Sequence, residues 1–392
     1  LCDRRQRQMC IRDRDILREK DLCGTLCYSV VKHPFNHKIF PTMSDKFQTF
    51  CFSHSGSWFL PFLWLSLLAG LSACSWTGDD RSDCPSGFRI RLQPALHAQI
   101  QPDSGTGVIT DEIDTLSLYV FDAQGQFVCL HTENRQSLTE NDYIITLPLE
   151  YKDGDVYELV FWAGGDNRHY RMPQLTPGSS TRDELTLRLE RNGDGRQDDE
   201  LGHLWYGHLR LSRIQPSELT SVSVPMLKDS NRFVITLHDT SGQGLDADDY
   251  DFTLLADNGR MNADNEVMTG DRVTYAAYHT ESASETEPAA TRTGEVSLAR
   301  ARLNTLRLLA DQEARLVVTD RTSGQKVVDV DLTRYLLMTR PLFEESNGVE
   351  LSDQDYLDYE DRFNVIFYLT PMGKLEALNI NGWIIRLNDA QL

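Results

Sequence analysis

The feature that most limits the fold of this chain is an alternation of apolar and polar residues that begins near Cys84. It is visible in residues 88–92 (FRIRL), 185–189 (LTLRL) and 222–226 (VSVPM). Successive side chains of a β-strand point to opposite faces of a sheet, so a period of two predicts strands with one buried face. Between these segments lie Gly-, Asp- and Asn-rich stretches that favour turns.

Segments of this kind recur through residues 84–228 and again through residues 229–392. They lie at residues 88–92, 116–121, 143–149, 156–162, 185–189, 209–211, 222–226, 232–237, 252–255, 273–278, 294–298, 315–319, 326–332, 363–369, 377–380 and 383–387. Many short strands at near-regular spacing are typical of β-sandwiches and barrels. We therefore predict an all-β protein with two consecutive β-sandwich domains, residues 84–228 and 229–392, and a boundary near Lys228.

Only a few segments favour other structures. Ser352 and Asp355 form a capping-box-like pattern that predicts one or two helical turns over residues 356–359. Residues 332–339 are a second helix candidate. Residues 281–293 (ESASETEPAATRT) are polar and poor in large apolar side chains, so we expect a mobile loop there.

One segment before the strands is apolar enough to interact with a membrane. Residues 58–71 (WFLPFLWLSLLAGL) are shorter than the roughly 20 residues that a spanning helix needs, and they fit the apolar centre of a signal peptide. The segment ends in the large aliphatic Leu71, and two small residues, Ser72 and Ala73, and then Cys74 follow in the order that lipoprotein signal peptidase accepts. We predict a signal peptide of residues 43–73 and lipid attachment to Cys74. The alternative is a general secretory signal with an incidental cysteine.

The segments on either side of the predicted signal peptide, residues 1–42 and 74–83, are not expected to form part of the folded domains. Residues 9–14 (MCIRDR) correspond to the translation of sequencing-adapter DNA, so we interpret residues 1–42 as a gene-model artefact or a cleaved extension. Residues 74–83 contain Asp79, Asp80 and Asp83, and this acidic run resembles the export signal of surface lipoproteins in the Bacteroidota. We expect an acidic tether on an exposed protein; a plain flexible tether is the alternative.

Lipid attachment at Cys74 leaves two cysteines in the exported chain, Cys84 and Cys129. An even pair in an oxidising compartment favours a disulfide. That bond would close a loop of about 45 residues and stabilise the fold by roughly 3–4 kcal/mol. Two separate buried thiols are the alternative.

Charge and motifs argue against two classes of function. The formal net charge is −20, and residues 1–73 hold ten Lys and Arg against six Asp and Glu, so the chain from Cys74 onward is more acidic still. Such a surface repels phosphate backbones, and we expect no nucleic-acid partner.

The sequence contains no Gly-rich phosphate loop after a strand, no Gly-x-Ser-x-Gly elbow and no His-Glu-x-x-His motif. We therefore expect that the protein is not an enzyme.

One acidic segment resembles a calcium loop. Glu190, Asn192, Asp194 and Asp198 have the spacing of its first, third, fifth and ninth ligand positions, but Leu201 stands where the bidentate acid belongs. A structural calcium ion on these four residues and an acidic hairpin turn without metal are both open. We expect no other cofactor.

Four aromatic residues have two interpretations as well. Trp162, Tyr170, Trp205 and Tyr206 could form a platform for sugar rings, or they could belong to the core of a sandwich.

Several segments, taken in order, resemble the FimB/Mfa-type fimbrial anchor lipoproteins of the Bacteroidales, which belong to the type V pilus system. They are residues 83–85 (DCP), 118–125 (LYVFDAQG), 159–165 (LVFWAGG), 205–207 (WYG), 224–226 (VPM), 231–233 (NRF) and 380–387 (INGWIIRL). Each motif alone is loose, but their order behind the lipoprotein signal is specific. The resemblance covers essentially all of residues 74–392.

This resemblance implies two transthyretin-like β-sandwiches in tandem and a structural role. Pilus subunits of the family polymerise by strand exchange, and the anchor keeps its lipid tether in the outer membrane at the base of the filament. The expected partners are fimbrial shaft subunits, bound by β-strand complementation. Residues 88–92 would be the first strand, with Arg89 and Arg91 as candidate trypsin-like cleavage points that a retained anchor should keep intact. Tip and accessory subunits also belong to the family.

Two other functions remain open from the sequence. A glycan-binding surface lipoprotein of a polysaccharide-uptake system would share the lipid anchor and the tandem sandwiches. A surface hydrolase would need paired carboxylates in a concave site, which the sequence does not suggest.

Overall fold

The computed structural model describes residues 87–95, 111–147, 156–165, 168–212, 219–242, 244–286 and 295–387. The chain divides into two units, Leu1–Pro85 and Ser86–Leu392, and all described residues belong to the second. The predicted signal peptide, Cys74, the acidic tether and Cys84 lie outside the described residues. The described part consists mainly of β-strands, which confirms the all-β prediction.

Seven strands form the largest sheet. They are β1 (Gly87–Pro94), β2 (Thr115–Asp122), β3 (Phe127–Asn134), β4 (Ile144–Leu147), β5 (Val156–Ala163), β9 (Trp205–Ser212) and β10 (Leu219–Lys228). Their order across the sheet is β3-β2-β5-β9-β10-β1-β4. All neighbours are antiparallel except β1 and β10, which run parallel.

This sheet curls around its own core. Its two edge strands, β3 and β4, are joined by a short link that contains helix α1 (Arg135–Glu140), capped by the Asn134 side chain. A flat sheet of seven strands would be about 29 Å wide, whereas a six-residue helix rises only about 9 Å. The short link therefore requires the edges to approach each other. The enclosed side chains are Phe88, Ile90, Leu92, Leu118, Val120, Phe161, Trp205, Val224 and Met226, each at most 2% exposed.

The remaining strands form three sheets. The six-stranded sheet contains β11 (Ser230–Asp239), β15 (His279–Thr286), β16 (Glu295–Leu306), β19 (Arg362–Leu369), β20 (Leu375–Ile380) and β21 (Trp383–Arg386), in the order β15-β16-β11-β19-β20-β21. The five-stranded sheet contains β8 (Arg196–Gln197), β12 (Tyr250–Ala256), β14 (Val273–Ala276), β17 (Arg315–Asp320) and β18 (Lys326–Asp331), in the order β18-β17-β12-β14-β8. The three-stranded sheet contains β6 (Tyr170–Arg171), β7 (Thr186–Leu189) and β13 (Arg260–Asn262), in the order β13-β7-β6.

The six- and five-stranded sheets share one apolar core, as a β-sandwich does. Alternate residues of both sheets are buried in it, including Phe233, Ile235, Val365 and Phe367 from the first and Phe252, Leu254, Leu316 and Val318 from the second. The rings of Phe233 and Phe363 stack with centroids 5.3 Å apart. Each fully buried side chain of this size contributes about 1.5–3 kcal/mol. Burial of the apolar residues of the alternating segments is therefore the main source of stability.

Backbone pairing crosses the predicted domain boundary near Lys228. Arg188 of β7 pairs with Arg260 of β13, and Arg196 of β8 pairs with Thr274 of β14. The seven-stranded sheet, in contrast, is built only from residues before the boundary. The domain limits 84–228 and 229–392 stay a prediction.

Both predicted helices are confirmed. They are α2 (Leu332–Leu337), capped by Asp331, and α4 (Asp353–Tyr359), where Ser352 and Asp355 form the capping box. Helices α1 and α3 (Arg340–Asn347) were not predicted, nor were the single 3₁₀ turns at Arg182–Glu184 and Ala247–Asp249.

The loop predicted at residues 281–293 is wrong in its first part. Glu281 to Thr286 belong to β15, which pairs with β16 along its whole length, and residues 287–293 lie outside the described residues. Because β15 is an edge strand, it needs few apolar side chains. Glu281 instead lies 3.6 Å from Arg300 and 3.4 Å from Arg302 of the neighbouring strand.

Buried charges lie where β10 passes into β11. Lys228 forms ion pairs with Glu112, at 2.9 Å, and with Asp361. The neighbouring Asp229 has no exposed surface and accepts a hydrogen bond of 2.8 Å from the Asn265 amide. Burial raises the pKa of Asp229 to about 7. This carboxyl group therefore lowers the stability of the fold wherever the unfolded chain carries it ionised.

We predict that Asp229→Asn removes a pH-dependent loss of stability. Below about pH 4 the Asp229 carboxyl is protonated in both states and has no effect. Between that value and its folded pKa of about 7, only the unfolded state ionises, so the free energy of unfolding falls as the pH rises. The melting temperature of Asp229→Asn should exceed that of the wild type by more at pH 7.5 than at pH 4, by circular dichroism. An equal difference at both pH values would contradict this.

Candidate functional site

The first strand lies inside the seven-stranded sheet and not at its edge. β1 pairs with β10 over all eight of its residues, and Phe88 to Arg91 also pair with β4. The side chains of Phe88, Ile90 and Leu92 are at most 2% exposed and reach into the core. β1 therefore fills the position between β10 and β4 that would otherwise be an open groove.

The two candidate cleavage points lie on the opposite face of β1. Arg89 is half-buried and Arg91 is exposed, and their backbone partners on β10 are Ser221 and Ser223. A trypsin-like protease needs an extended backbone that is free of other partners. Cutting after either arginine therefore requires β1 to leave the sheet first.

A second candidate is the free edge of the five-stranded sheet. β18 pairs with β17 on one side, and no described strand pairs with its other side. All six residues of β18 line a groove of about 460 Å³, which is completed by Arg334 and Tyr335 of α2 and by residues 373–375. A free strand edge carries unpaired N–H and C=O groups, so this groove has the geometry to accept an extended segment.

The groove combines apolar side chains with fixed charges. Val327 and Val330 are half-buried and pack against the core of the sandwich. Asp329 accepts hydrogen bonds from Arg315 at 2.6 and 2.9 Å and from Lys326 at 2.9 Å. The bonds from Arg315 are the main reason that the pKa of Asp329 is lowered to about 2. Its negative charge is therefore constant at neutral pH.

Exposed large apolar side chains occur at the sheet edges. Ile384 of the edge strand β21 is 63% exposed, and Leu130 of the edge strand β3 is 47% exposed. Met372, which precedes the groove residue Gly373 in the turn between β19 and β20, is 81% exposed. These positions offer exposed apolar contact area on the surface of the protein.

Comparison with known proteins identifies the family. Residues 81–389 match the family described as fimbrillin-A associated anchor proteins Mfa1 and Mfa2. The chain belongs to this family. The minor fimbrium anchoring subunit Mfa2 of Porphyromonas gingivalis is 23% identical over 337 residues, which cover 84% of this chain and 94% of that protein. The resemblance found in the sequence is thereby confirmed, and the family is a structural one and not an enzyme family.

Solved structures show the same fold. The fimbrial anchor protein Mfa2 from P. gingivalis matches with a TM-score of 0.57 and 19% identity, over 78% of this chain and 100% of that one. A Bacteroides thetaiotaomicron protein described as polysaccharide-binding matches with a TM-score of 0.66 and 25% identity, again over 78% of this chain and 100% of its own. At 19% identity the first match supports the fold alone.

The four aromatic residues considered as a sugar platform are core residues. Trp162 and Tyr170 are 2% exposed, Trp205 is 1% exposed and Tyr206 is 8% exposed. The hydroxyl groups of Tyr170 and Tyr206 each donate a hydrogen bond of 2.9 Å to a backbone carbonyl. The sugar platform is therefore wrong for these residues, and the core interpretation is confirmed.

The four calcium-loop residues lie in a turn that is closed by its own hydrogen bonds. The Asn192 amide donates to Asp198 at 2.6 Å, and Asp194 accepts from the backbone N–H of Arg196 at 3.0 Å. Glu190 forms an ion pair of 3.0 Å with Arg171. Among the described residues, no group of three or more His, Cys, Asp or Glu is placed to hold a metal ion. The calcium site stays a prediction.

Of the three cysteines for which the sequence predicts a role, only Cys129 lies among the described residues. It lies half-buried on β3 beside Val120, and burial raises the pKa of its thiol. β3 and β1 run in the same direction, so both strands begin at the same end of the curled sheet. The disulfide with Cys84 stays a prediction, as does the lipid on Cys74. None of the described helices is long and apolar enough to cross a membrane.

We predict that Ile90→Ala exposes β1 to proteolysis. Ile90 has no exposed surface, and replacing such a residue by alanine costs about 2–5 kcal/mol. The matched control is Ile384→Ala, because Ile384 is 63% exposed and its loss should change stability by less than about 0.5 kcal/mol. Trypsin added to the folded proteins should cut after Arg89 or Arg91 faster in Ile90→Ala only, as read by mass spectrometry. Equal rates in all three proteins would show that β1 is not held as described.

Proposed function

We propose that this protein is a lipoprotein that anchors fimbriae at the outer membrane and holds a shaft subunit by β-strand complementation. Membership of the fimbrial anchor family supports the anchoring role. The observation that carries the proposal is that β1 fills the position beside β10 while the groove along β18 lacks a strand among the described residues.

The retained first strand suits the end of a filament. A shaft subunit that loses its first strand has a vacant position in its sheet, and a strand from another subunit fills it. In this chain β1 already supplies the apolar side chains of that position, namely Phe88, Ile90 and Leu92. The protein therefore accepts no strand there, and growth of the filament stops on that side.

The same strand follows the proposed lipidation site closely in sequence. Cys74 precedes Gly87 by thirteen residues, which span at most about 45 Å when extended. Diacylglycerol and a further acyl chain on Cys74 would hold the protein stably, because two or more chains are needed for lasting attachment. Asp79, Asp80 and Asp83 lie in this tether and support export to the cell surface. Tension on the filament would then reach the body of the protein through β1.

The groove along β18 is the proposed acceptor for the shaft subunit. A strand of six residues is about 20 Å long, enough for several backbone hydrogen bonds with an added strand. Val327 and Val330 would contact alternate apolar side chains of that strand. The charged groove residues Asp329, Arg334 and Lys374 would select among partners.

A glycan-binding surface lipoprotein is the second candidate. The B. thetaiotaomicron relative described as polysaccharide-binding supports it. The burial of Trp162, Tyr170, Trp205 and Tyr206 favours the anchor, because these side chains have no surface to offer to a sugar ring.

We predict that Val327→Lys releases fimbriae from the cell. A lysine on a free strand edge opposes strand addition, as it does on many natural edges. The matched control is Ile366→Lys, because Ile366 is also half-exposed but lies on β19, which has paired neighbours on both sides. In a strain that lacks the gene, fimbriae should appear in the medium or change in length. Wild-type and Ile366→Lys proteins should restore attachment, and Val327→Lys should not, at equal protein levels.

Two results would count against this account. Attachment restored by Val327→Lys would exclude β18 as the acceptor. Normal, cell-attached fimbriae in the deletion strain would exclude the anchoring role itself.

A further inference from the structure

A groove that is rich in arginine lies on the outer face of the six-stranded sheet. It has a volume of about 560 Å³ and crosses three neighbouring strands, β16, β11 and β19. Four arginines line it: Arg232, Arg300, Arg302 and Arg362. None of its lining residues is acidic, although Asp and Glu outnumber Lys and Arg by 59 to 39 in the whole chain.

The strand register places like charges side by side in this groove. Arg232 of β11 is the direct partner of Arg362 on β19, and Val234, two residues further along β11, is the partner of Arg302 on β16. Like charges opposite each other destabilise a sheet. The lining of the groove carries no opposite charge of its own, so the cluster points to a ligand of opposite charge.

Carboxylates outside the groove lining approach these arginines, and Glu112 and Glu281 are each shared with a second cation. Glu281 lies within 3.6 Å of both Arg300 and Arg302, and Glu200 approaches Arg232 only to 3.4 Å. Glu112 accepts a hydrogen bond of 2.7 Å from Arg362 but also neutralises the buried Lys228. Each guanidinium carries five N–H donors, so contacts with one carboxylate oxygen leave Arg232 and Arg302 able to bind a further anion.

We propose that this groove binds an anionic saccharide, a sugar that carries a carboxylate or a phosphate group. The planar guanidinium groups of Arg232 and Arg302 match the oxygens of either anion. Tyr278 and Asn364 also line the groove and supply a hydroxyl and an amide group for sugar hydroxyls. Convergence of a few polar groups on a concave surface is typical of small-ligand sites.

The backbone of the groove favours a sugar over a peptide. β16, β11 and β19 are internal strands whose two edges are already paired, so a peptide cannot be added here as a further strand. Recognition must come from side chains alone. The proposal is independent of strand complementation at β18, which lies in the other sheet of the sandwich.

Calorimetry on the folded protein tests the proposal. The probes are trigalacturonate for the carboxylate, mannose 6-phosphate for the phosphate, maltotriose as the neutral control and a hexaglutamate peptide as the acidic-peptide control. We expect saturable binding of trigalacturonate or mannose 6-phosphate that weakens with salt, and no binding of maltotriose. Arg232→Gln and Arg302→Gln should each weaken binding about tenfold to hundredfold, since each removes charge-assisted hydrogen bonds.

The control variant is Arg386→Gln, because Arg386 is an exposed arginine of the same sheet outside the groove. It should bind like the wild type, and thermal unfolding should show that all variants are folded. Absence of saturable binding of both anionic sugars would overturn the proposal. So would unchanged affinity in both groove variants, or hexaglutamate bound as tightly as the sugars.

Discussion

The pairing of β1 with β10 on one side and β4 on the other is the interaction that completes the N-terminal sheet. It brings Phe88, Ile90 and Leu92 into a core that also contains Val224, more than a hundred positions later in the chain. Without β1 this core would face solvent through a groove between two strands. The same strand begins thirteen residues after Cys74, so the element that closes the core is also the first described element after the proposed lipidation site.

A division of roles between the two ends of the chain follows from this arrangement. In the seven-stranded sheet, β1 occupies the position between β10 and β4. The sandwich of the six- and five-stranded sheets keeps a groove along β18 and one exposed apolar side chain on β21, Ile384. Under the proposed function, a subunit whose first sheet is complete and whose sandwich keeps an open strand edge would receive a filament without being part of its repeating shaft. No catalytic residue is needed for that task, in agreement with a structural family.

The sequence predicts where strands occur better than it predicts which strands lie side by side in a sheet. Alternation is a local property, so the sequence alone predicts strands in segments such as residues 88–92 and 326–332, and the Ser352 capping pattern predicts α4. Alternation does not show that β1 lies between β10 and β4, or that β18 is an edge strand. Strand order depends on contacts between residues that are distant in the sequence. β15 was missed since an edge strand with an exposed face lacks the apolar half of the pattern.

Candidate sites were harder to predict for the same reason. Buried aromatic residues and a sugar platform have the same sequence pattern, and only burial separated them at Trp162 and Trp205. The arginines of the proposed saccharide groove come from three strands, and Arg232 and Arg362 are 130 positions apart in the chain. No sequence motif spans such a distance, so the sequence alone does not predict that these arginines lie in one groove.

The central claim is that a lipid-bearing chain with an intact first strand remains at the base of the fimbria. Intact mass spectrometry of the protein that copurifies with fimbriae measures this directly. The account predicts one species that begins at a lipid-modified Cys74 and contains the uncut Arg89–Ile90 and Arg91–Leu92 bonds. A species that begins at Ile90 or Leu92, or one without lipid, would contradict it.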